Sequence, residues 1–292
     1  MERYPKREVL RIYSRHPIQE KTLLRRVRAT RGTLVGLIET DLAVDDVTEL
    51  TDQNHVGGVT FVKELACRVG IDSETKVLDL GCGLGGSARV LATVFGCHVH
   101  GIDFSPKRYR EALRLTKLVG LSELVTFECS DFMSARVPRA GFDVLWGQSA
   151  WVHVADKKRF LRRWARALKT DGQIALEDAF LTARRLTAAQ RTLVTQLEEQ
   201  WKAYLISREQ WRDLLCGESF TVCAEENLTL EMRDHFKTLA KVSDKSVVPK
   251  EEAAAWKNAV RLAKTGLLYY TRIVAKKRLK GNLATEHVCA PA

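Results

Sequence analysis

Three aspartates stand in or directly after three successive strand-like segments. Asp79 lies in "VLDLG", Asp103 closes "HVHGID", and Asp131 follows "FECS". Because the carboxyl ends of parallel strands meet at one edge of a sheet, we expect the three carboxylates to face one ligand. Asp79 suits a cationic group, Asp103 can accept hydrogen bonds from two ribose hydroxyls, and Asp131 can accept one from the amine of an adenine. The spacing therefore describes a ligand with a positive charge, a ribose and an adenine.

Four glycines fall within six residues after the first of these strands, in "GCGLGG" from Gly81 to Gly86. Glycine tolerates positive φ and allows close approach of the backbone to a ligand. The spacing GxGxGG differs from the dinucleotide pattern GxGxxG, and no Lys-Ser/Thr pair follows as in a nucleoside-triphosphate loop. A carboxylate at Asp79 would also repel a pyrophosphate. The loop is therefore predicted to make room for the cationic part of the ligand.

Strand-like and helix-like segments alternate around these residues. Strands are predicted at 76–81, 98–103, 124–131, 142–148, 172–179, 220–228 and 266–277, and helices between them at 87–95, 106–119 and 157–169. Strands that alternate with helices indicate a mostly parallel sheet covered on both faces. We predict a doubly wound, Rossmann-like α/β fold with a seven-stranded sheet.

Further helical patterns precede the first strand and follow the fifth and sixth. We expect a single domain over residues 1–292, with an N-terminal helical lid at 1–75 and a cofactor-binding core at 76–180. Residues 181–292 would hold the helical inserts on the acceptor side and the last two strands. Specificity is therefore expected to depend on the inserts.

Composition restricts the remaining classes of protein. The formal net charge is +11, but apolar residues recur at helical spacing in the basic segment "KKRFLRRWARALK", so its charges are expected to point to solvent. A nucleic-acid partner is disfavoured because the basic N-terminal arm has few aromatic residues. No apolar run approaches about 18 residues, as a membrane span requires. Seven cysteines without a CxxC pair indicate reduced thiols, a cytoplasmic protein and no metal site.

The segments "VLDLGCGLGGSA", "HGIDFS" and "ECSD" resemble the first three motifs of class I S-adenosylmethionine-dependent methyltransferases. The resemblance implies that S-adenosylmethionine is the cofactor and S-adenosylhomocysteine the product. The cofactor-binding residues that it implies are Asp79, Gly81, Gly83, Gly85, Asp103, Phe104, Asp131, Phe132 and Gln148.

Two more segments resemble the sarcosine/dimethylglycine and phosphoethanolamine N-methyltransferases: "TDQNHVGGVTFVKELA" and "FDVLWGQSAWVHVADKKRFL". This resemblance implies a catalytic role for His153 together with a tyrosine from the N-terminal region, for which Tyr4 and Tyr13 are the candidates. His55 is a second candidate, for the acceptor or for the carboxylate of the cofactor. Ser149 stands where the phosphobase enzymes carry an acid, so an acceptor other than phosphoethanolamine is expected.

The leading hypothesis is therefore methyl transfer to the amine nitrogen of a small molecule. One alternative is an Mg²⁺-dependent C-methyltransferase of an isoprenoid diphosphate, in which Glu177 would stabilise a carbocation or take its proton. Another is O-methylation with His153 as the base. Ser149, Trp151, Trp201 and Tyr204 are the candidate acceptor-binding residues, and Trp151 could hold a cation on its aromatic face.

Overall fold

A computed structural model describes residues 3–43, 51–242 and 249–278. Its sheet has seven strands in the order β3-β2-β1-β4-β5-β7-β6, with β7 antiparallel to both of its neighbours. The strands are β1 Lys76–Leu80, β2 His98–Asp103, β3 Val125–Cys129, β4 Phe142–Gln148, β5 Leu168–Leu181, β6 Phe220–Asn227 and β7 Leu268–Lys277. The predicted seven-stranded, mostly parallel Rossmann-like fold is confirmed.

Eleven α-helices lie within the described ranges, together with one 3₁₀ turn at Trp151–His153. They are α1 Lys6–Arg15, α2 Glu20–Arg31, α3 Glu39–Leu42, α4 Gly58–Val69, α5 Gly86–Phe95, α6 Pro106–Leu118, α7 Lys157–Trp164, α8 Ala188–Trp201, α9 Arg208–Gly217, α10 Thr229–Val242 and α11 Lys250–Lys264. Local chemistry sets several helix starts, since Ser105 caps α6 before its first-turn proline and capping boxes begin α8 and α9. The predicted insert after β5 consists of α8 and α9, and the insert after β6 consists of α10 and α11.

Helix α7 is shorter than its sequence pattern predicts. It ends at Trp164, and β5 begins at Leu168. The chain turns there because Ala140 and Gly141 donate backbone hydrogen bonds to the carbonyls of residues 166 and 167. One of its cations is also not solvated as expected: buried Lys157 donates to the carbonyls of residues 151 and 154.

The core consists of two apolar layers, one on each face of the sheet. Alternate residues of a strand point to opposite faces, so Leu78 and Leu145 pack in one layer while Val77 and Val144 pack in the other. A third apolar cluster joins the inserts to the outer ends of β5 and β7. Among the described residues, no helix is long and apolar enough to cross a membrane.

The N-terminal helices pack against the carboxyl edge of the sheet through buried arginines. Arg108 in α6 donates to the carbonyl oxygens of Ile18 (2.6 Å) and Tyr13 (3.3 Å). Arg89 in α5 donates to the carboxylates of Glu39 (3.0 Å) and Asp52 (2.5 Å). The segment before β1 is thereby held over the ends of β1 and β2, where the sequence predicts a ligand.

Candidate functional site

Two adjoining cavities lie at the carboxyl edge of the sheet. The first, of about 60 Å³, is formed by the ends of β1, β2 and β4 and is called here the strand-end cavity. The second, of about 150 Å³, lies between the N-terminal helix and the inserts and is called the insert cavity. Residues common to both linings define their junction: Tyr13, Asn54, His55, Ser149 and His153.

Two glycines of the loop after β1 have different reasons to be glycine. Gly81 has φ +96°, and a Cβ there would lie 2.4 Å from the Cβ of Ala150. Gly83 has φ +54°, and no atom lies within 4 Å of its added Cβ because that side faces the open strand-end cavity. The first glycine permits close packing, while the second leaves space for a ligand.

The Asp79 carboxyl lies buried in the lining of the strand-end cavity without a counter-ion. No donor within the described part of the chain forms a hydrogen bond with it. Burial, with a smaller contribution from the charge of Asp103, raises the pKa of Asp79 to about 8. A ligand that brings a positive charge to this position would stabilise the carboxylate.

Asp103, at the end of β2, is fixed by the backbone of two loops. One carboxylate oxygen accepts a hydrogen bond from the amide of Gly83 (3.0 Å) and the other from that of Ser105 (2.8 Å). Burial raises the pKa of Asp103 to about 6, although these two hydrogen bonds lower it. Each oxygen retains acceptor capacity toward the cavity, so the pair fits two adjacent hydroxyls.

The other predicted cofactor residues divide into two groups. Phe104, Phe132 and Gln148 line the strand-end cavity. Asp131 does not line this cavity. Its carboxylate forms an ion pair with Lys6 of α1 and accepts a hydrogen bond from the Met133 amide (2.9 Å). Gly85 also lies outside the lining and is the N-cap residue of helix α5.

A tyrosine–histidine pair stands at the junction of the two cavities. The Nδ1 atom of His153 lies 3.2 Å from the carbonyl oxygen of Lys202, which assigns the ring proton to Nδ1. Nε2 is then free to accept, and the hydroxyl of Tyr13 donates to it over 2.8 Å. Burial lowers the pKa of His153 to about 4, so the ring is neutral at pH 7 and can take a proton.

The structure also separates the two candidate tyrosines. Tyr13 contacts His153, whereas Tyr4 packs on Tyr204 with ring centroids 5.2 Å apart. The hydroxyl of Tyr204 accepts a hydrogen bond from the Tyr4 amide over 2.7 Å, and Tyr204 lines neither cavity. Tyr204 therefore holds the start of the N-terminal segment in place.

His55 and Ser149 lie at the junction, as their predicted roles require. The Nε2 atom of His55 is 3.1 Å from the Ser87 hydroxyl, and burial lowers the pKa of this histidine. Ser149 has φ +52°, and its hydroxyl lies 2.9 Å from that of Tyr270. Both side chains can therefore reach a group that lies between the cavities.

Glu177 does not reach either cavity, contrary to its predicted catalytic role. It is fully buried and accepts hydrogen bonds from Arg272 (Nε, 2.6 Å) and from Gln148 (2.8 Å). Burial raises its pKa, while the adjacent Arg272 lowers it. The carboxylate is thus part of a structural ion pair that fixes the orientation of Gln148.

Trp151 also lies outside the cavities, contrary to the expected acceptor contact. Its indole donates to the carbonyl oxygen of Leu80 (3.0 Å), and its ring packs on Phe160 and Trp211. The 3₁₀ turn at 151–153 is the reason, because it sends Trp151 into the core and His153 to the junction. Trp201, in contrast, lines the insert cavity.

The insert cavity is aromatic and acidic. Its lining includes the rings of Trp201, Phe236 and Trp256 and the carboxyls of Asp178 and Glu252. No lysine or arginine of the described chain belongs to this lining. No sequence pattern predicts a role for Phe236 or Glu252, since "KEEAAAW" is typical of the solvated start of a helix.

Comparison with known proteins assigns the central part of the chain. Residues 77–172 match the sequence profile of a family described as a methyltransferase domain. These residues are a methyltransferase domain. The predicted recognition is thereby confirmed for the region that carries the glycine loop, Asp103 and His153.

Named relatives match over part of their own length. The glycine/sarcosine/dimethylglycine N-methyltransferase of Actinopolyspora halophila is 34% identical over 117 residues, which cover 40% of this chain and 21% of that protein. The 2-methyl-6-phytyl-1,4-hydroquinone methyltransferase of Synechocystis sp. is 34% identical over 149 residues, 49% of this chain and 46% of that protein. Phosphoethanolamine N-methyltransferase 1 of Arabidopsis thaliana is 34% identical over 122 residues, 42% of this chain and 24% of that protein. The chain thus spans less than half the length of each.

A solved structure extends the similarity to the whole fold. Geranyl diphosphate C-methyltransferase from Streptomyces coelicolor A3(2), in complex with Mg²⁺, geranyl-S-thiolodiphosphate and S-adenosylhomocysteine, superposes with a TM-score of 0.73. The match covers 95% of this chain and all of that chain at 15% sequence identity. At this identity the similarity concerns the fold, including the placement of helices around the sheet.

Proposed function

We propose that the protein is an S-adenosylmethionine-dependent methyltransferase whose acceptor is the amine nitrogen of a small molecule. One observation carries the proposal. The strand-end cavity, which contains the buried carboxyl of Asp79, meets the aromatic insert cavity at the hydrogen-bonded pair of Tyr13 and His153. A donor and an acceptor bound in adjoining cavities would meet at that pair. Such positioning alone can lower a barrier by about 7–11 kcal/mol in the best intramolecular cases.

The residues of the strand-end cavity fit the cofactor. Asp79 would bind the amino group of the methionine part, and the open face of Gly83 would admit its chain. Asp103 would accept hydrogen bonds from the ribose hydroxyls, and Phe132 would lie against the adenine. In this arrangement Asp131 would reach the adenine amine only after Lys6 releases it.

The bound cofactor supplies a methyl group already activated on a sulfonium, so little is required of the side chains. His153 would act as a base: the acceptor gives a proton to the hydroxyl of Tyr13 as that hydroxyl gives its own to Nε2 of His153. The Lys202 carbonyl holds the histidine in the required tautomer. Ser149 would accept or donate a hydrogen bond to orient the acceptor.

The lining of the insert cavity favours an amine over a diphosphate. A phosphate or diphosphate needs arginine, lysine or a metal ion to offset its charge, and the described lining offers two carboxyls instead. The described residues also hold no group of three or more His, Cys, Asp or Glu side chains placed to bind a metal ion. With Glu177 enclosed by Arg272 and Gln148, the Mg²⁺-dependent alternative also lacks the carboxylate that motivated it.

The N-terminal segment is proposed to act as a lid within a single domain. Tyr13 of α1 belongs to the linings of both cavities and contacts His153, so this helix covers their junction. Its closure would exclude water from the reacting atoms, and its opening would release product.

A by-product assay tests the proposal. The protein would be incubated with S-adenosylmethionine and panels of amines, phenols and isoprenoid diphosphates, with and without Mg²⁺, while release of S-adenosylhomocysteine is followed. We expect release with amines, unchanged by Mg²⁺ or by chelator. Release with phenols alone would indicate O-transfer from the same pair, and release with diphosphates that requires Mg²⁺ would contradict the amine proposal.

A further inference from the structure

The partly buried Glu252 belongs to the lining of the insert cavity. It lies in the first turn of α11, and its neighbours in the lining include Trp256 one turn later. Within the described ranges, no lysine or arginine lies within ion-pair distance of its carboxylate. The ionisable side chain that it contacts is His16, whose Nε2 lies 3.7 Å from Oε1 of Glu252.

His16 does not provide a positive charge. Its Nδ1 accepts a hydrogen bond from the amide of Ile18 (3.2 Å), which assigns the ring proton to Nε2 and directs that N–H toward Glu252. Burial and the nearby charge of Arg108 lower the pKa of His16 to about 3. The ring is therefore a neutral donor. Within the described ranges Glu252 has a side-chain hydrogen bond from Trp256 and the more distant charge of Arg108, but no ion pair with a lysine or arginine, so its burial carries a free-energy cost.

The second carboxyl of this cavity is already engaged. One oxygen of Asp178 accepts a hydrogen bond from the amide of Val152 (2.9 Å) and the other from that of Ala179 (3.0 Å). These bonds fix the turn that carries His153. Unlike Asp178, Glu252 accepts no hydrogen bond from the described backbone, so more of its acceptor capacity is available to a ligand.

Three aromatic rings belong to the same lining as Glu252. The rings of Phe236 and Trp256 are stacked, with centroids 6.4 Å apart and 10° between their planes. Trp201 continues the wall, with its ring 6.2 Å from that of Phe236. An aromatic face attracts a cation by about 0.5–2 kcal/mol, the more so when the cation is desolvated.

We propose that the insert cavity takes an acceptor that carries a protonated amine in addition to the atom that is methylated, and that Glu252 anchors this ammonium beside the aromatic wall. The inference rests on the proposed function in one respect, namely that the methylated atom lies at the junction. It adds the substrate class: a molecule with a nucleophilic end, an apolar body and a cationic end. Glu252 then determines specificity without taking part in the methyl transfer.

A binding experiment with three probes of similar shape tests the anchor. Phenethylamine, 2-phenylethanol and phenylacetate would be titrated into the full chain at pH 8 with saturating S-adenosylhomocysteine, and the tryptophan fluorescence followed. We expect the amine to bind at least about tenfold more tightly than the alcohol, as one charge-assisted contact implies, and the carboxylate to bind most weakly. In Glu252→Gln the affinities for amine and alcohol should become equal, while that for the alcohol stays unchanged.

The neighbouring Glu251 provides the matched control because it is exposed on the same helix turn. Glu251→Gln should keep the full preference for the amine. Equal binding of amine and alcohol to the wild-type protein, or binding of neither, would overturn the inference. The affinity for S-adenosylhomocysteine in the same samples distinguishes failure of the anchor from failure of the proposed function. If S-adenosylhomocysteine still binds, the proposed function stands without the anchor. If it does not bind, the proposed function itself is wrong. Should Glu252→Gln unfold, the order of the three probes on the wild-type protein still decides.

Discussion

The two cavities hold similar groups but are built in different ways. The strand-end cavity is made by the backbone at the ends of neighbouring strands, with Asp79 and Asp103 supported by the sheet. The insert cavity is made by side chains from α1, α8, α10 and α11, which are far apart in the sequence. A sheet edge therefore fixes one ligand, while the helices added around it define the other.

Each cavity also contains one carboxyl that, among the described residues, has neither an ion pair with a lysine or arginine nor a backbone hydrogen bond. Asp79 shares its lining with the glycines of the loop after β1, and Glu252 shares its lining with Trp201, Phe236 and Trp256. Burial raises the pKa of Asp79 to about 8 and that of Glu252 to about 7. Under the two proposals, both cavities would take a cationic group, the first through a close backbone approach and the second beside an aromatic wall.

Removing the base at the junction should have the largest effect. His153→Phe removes the acceptor of the Tyr13 hydrogen bond, and loss of a general base typically costs about 10²–10⁴-fold in kcat. The affinity for S-adenosylhomocysteine should stay within about threefold, which a titration would check. An equal loss of affinity and kcat would assign His153 to cofactor binding instead.

Loss of the buried ion pair at Glu177 should reduce stability, while its effect on the cavities is limited to Gln148, which it orients in the strand-end lining. Breaking a buried ion pair lowers the free energy of unfolding by about 3–5 kcal/mol. The loss in Glu177→Gln should be near the lower end of this range because Arg272 keeps its contact with Glu64 (2.8 Å). Chemical denaturation would measure the change. A fall in kcat with normal stability would restore a catalytic role for Glu177.

The strand-end carboxylate should control cofactor affinity. Asp103→Asn removes the charge behind two hydrogen bonds to the ribose and is expected to weaken S-adenosylhomocysteine binding about 10–100-fold. Asp143→Asn is the matched control, since Asp143 lies at the start of β4 and contacts Lys76 and Lys169. Similar losses in both variants would show that the effect comes from the sheet and not from the ligand contact.

The raised pKa of Asp79 predicts the smallest effect, a pH dependence of binding. In the free protein this carboxyl holds a proton below about pH 8, whereas a bound ammonium favours the ionised form, so binding releases a proton. Affinity should fall as the pH decreases from 8 to 6.5, by no more than about tenfold per pH unit. Calorimetry in buffers of different ionisation enthalpy would detect the proton, and Asp79→Asn should remove most of the dependence.

The sequence predicted the strand-end cavity because its determinants are local. Glycine spacing, strand periodicity and an acid at a strand end all occur within about 25 residues, from Asp79 to Asp103. The direction of a side chain within a turn or helix is not local in this sense. Trp151 and His153 are two residues apart, yet the 3₁₀ turn sends one into the core and the other to the junction.

The insert cavity depends on how helices pack, which a single sequence does not reveal. Glu251 and Glu252 are identical neighbours, but the packing of α11 leaves one in solvent and turns the other into the cavity. The choice between Tyr4 and Tyr13 likewise follows from the position of α1 over the sheet.

Calorimetric titration of S-adenosylhomocysteine into the wild-type chain and Asp103→Asn is the most direct test of the central claim, that the strand-end cavity binds the cofactor beside an acceptor cavity. We predict one site per chain in the wild type and at least about tenfold weaker binding in the variant. No binding to the wild type, or equal binding to both, would contradict the account.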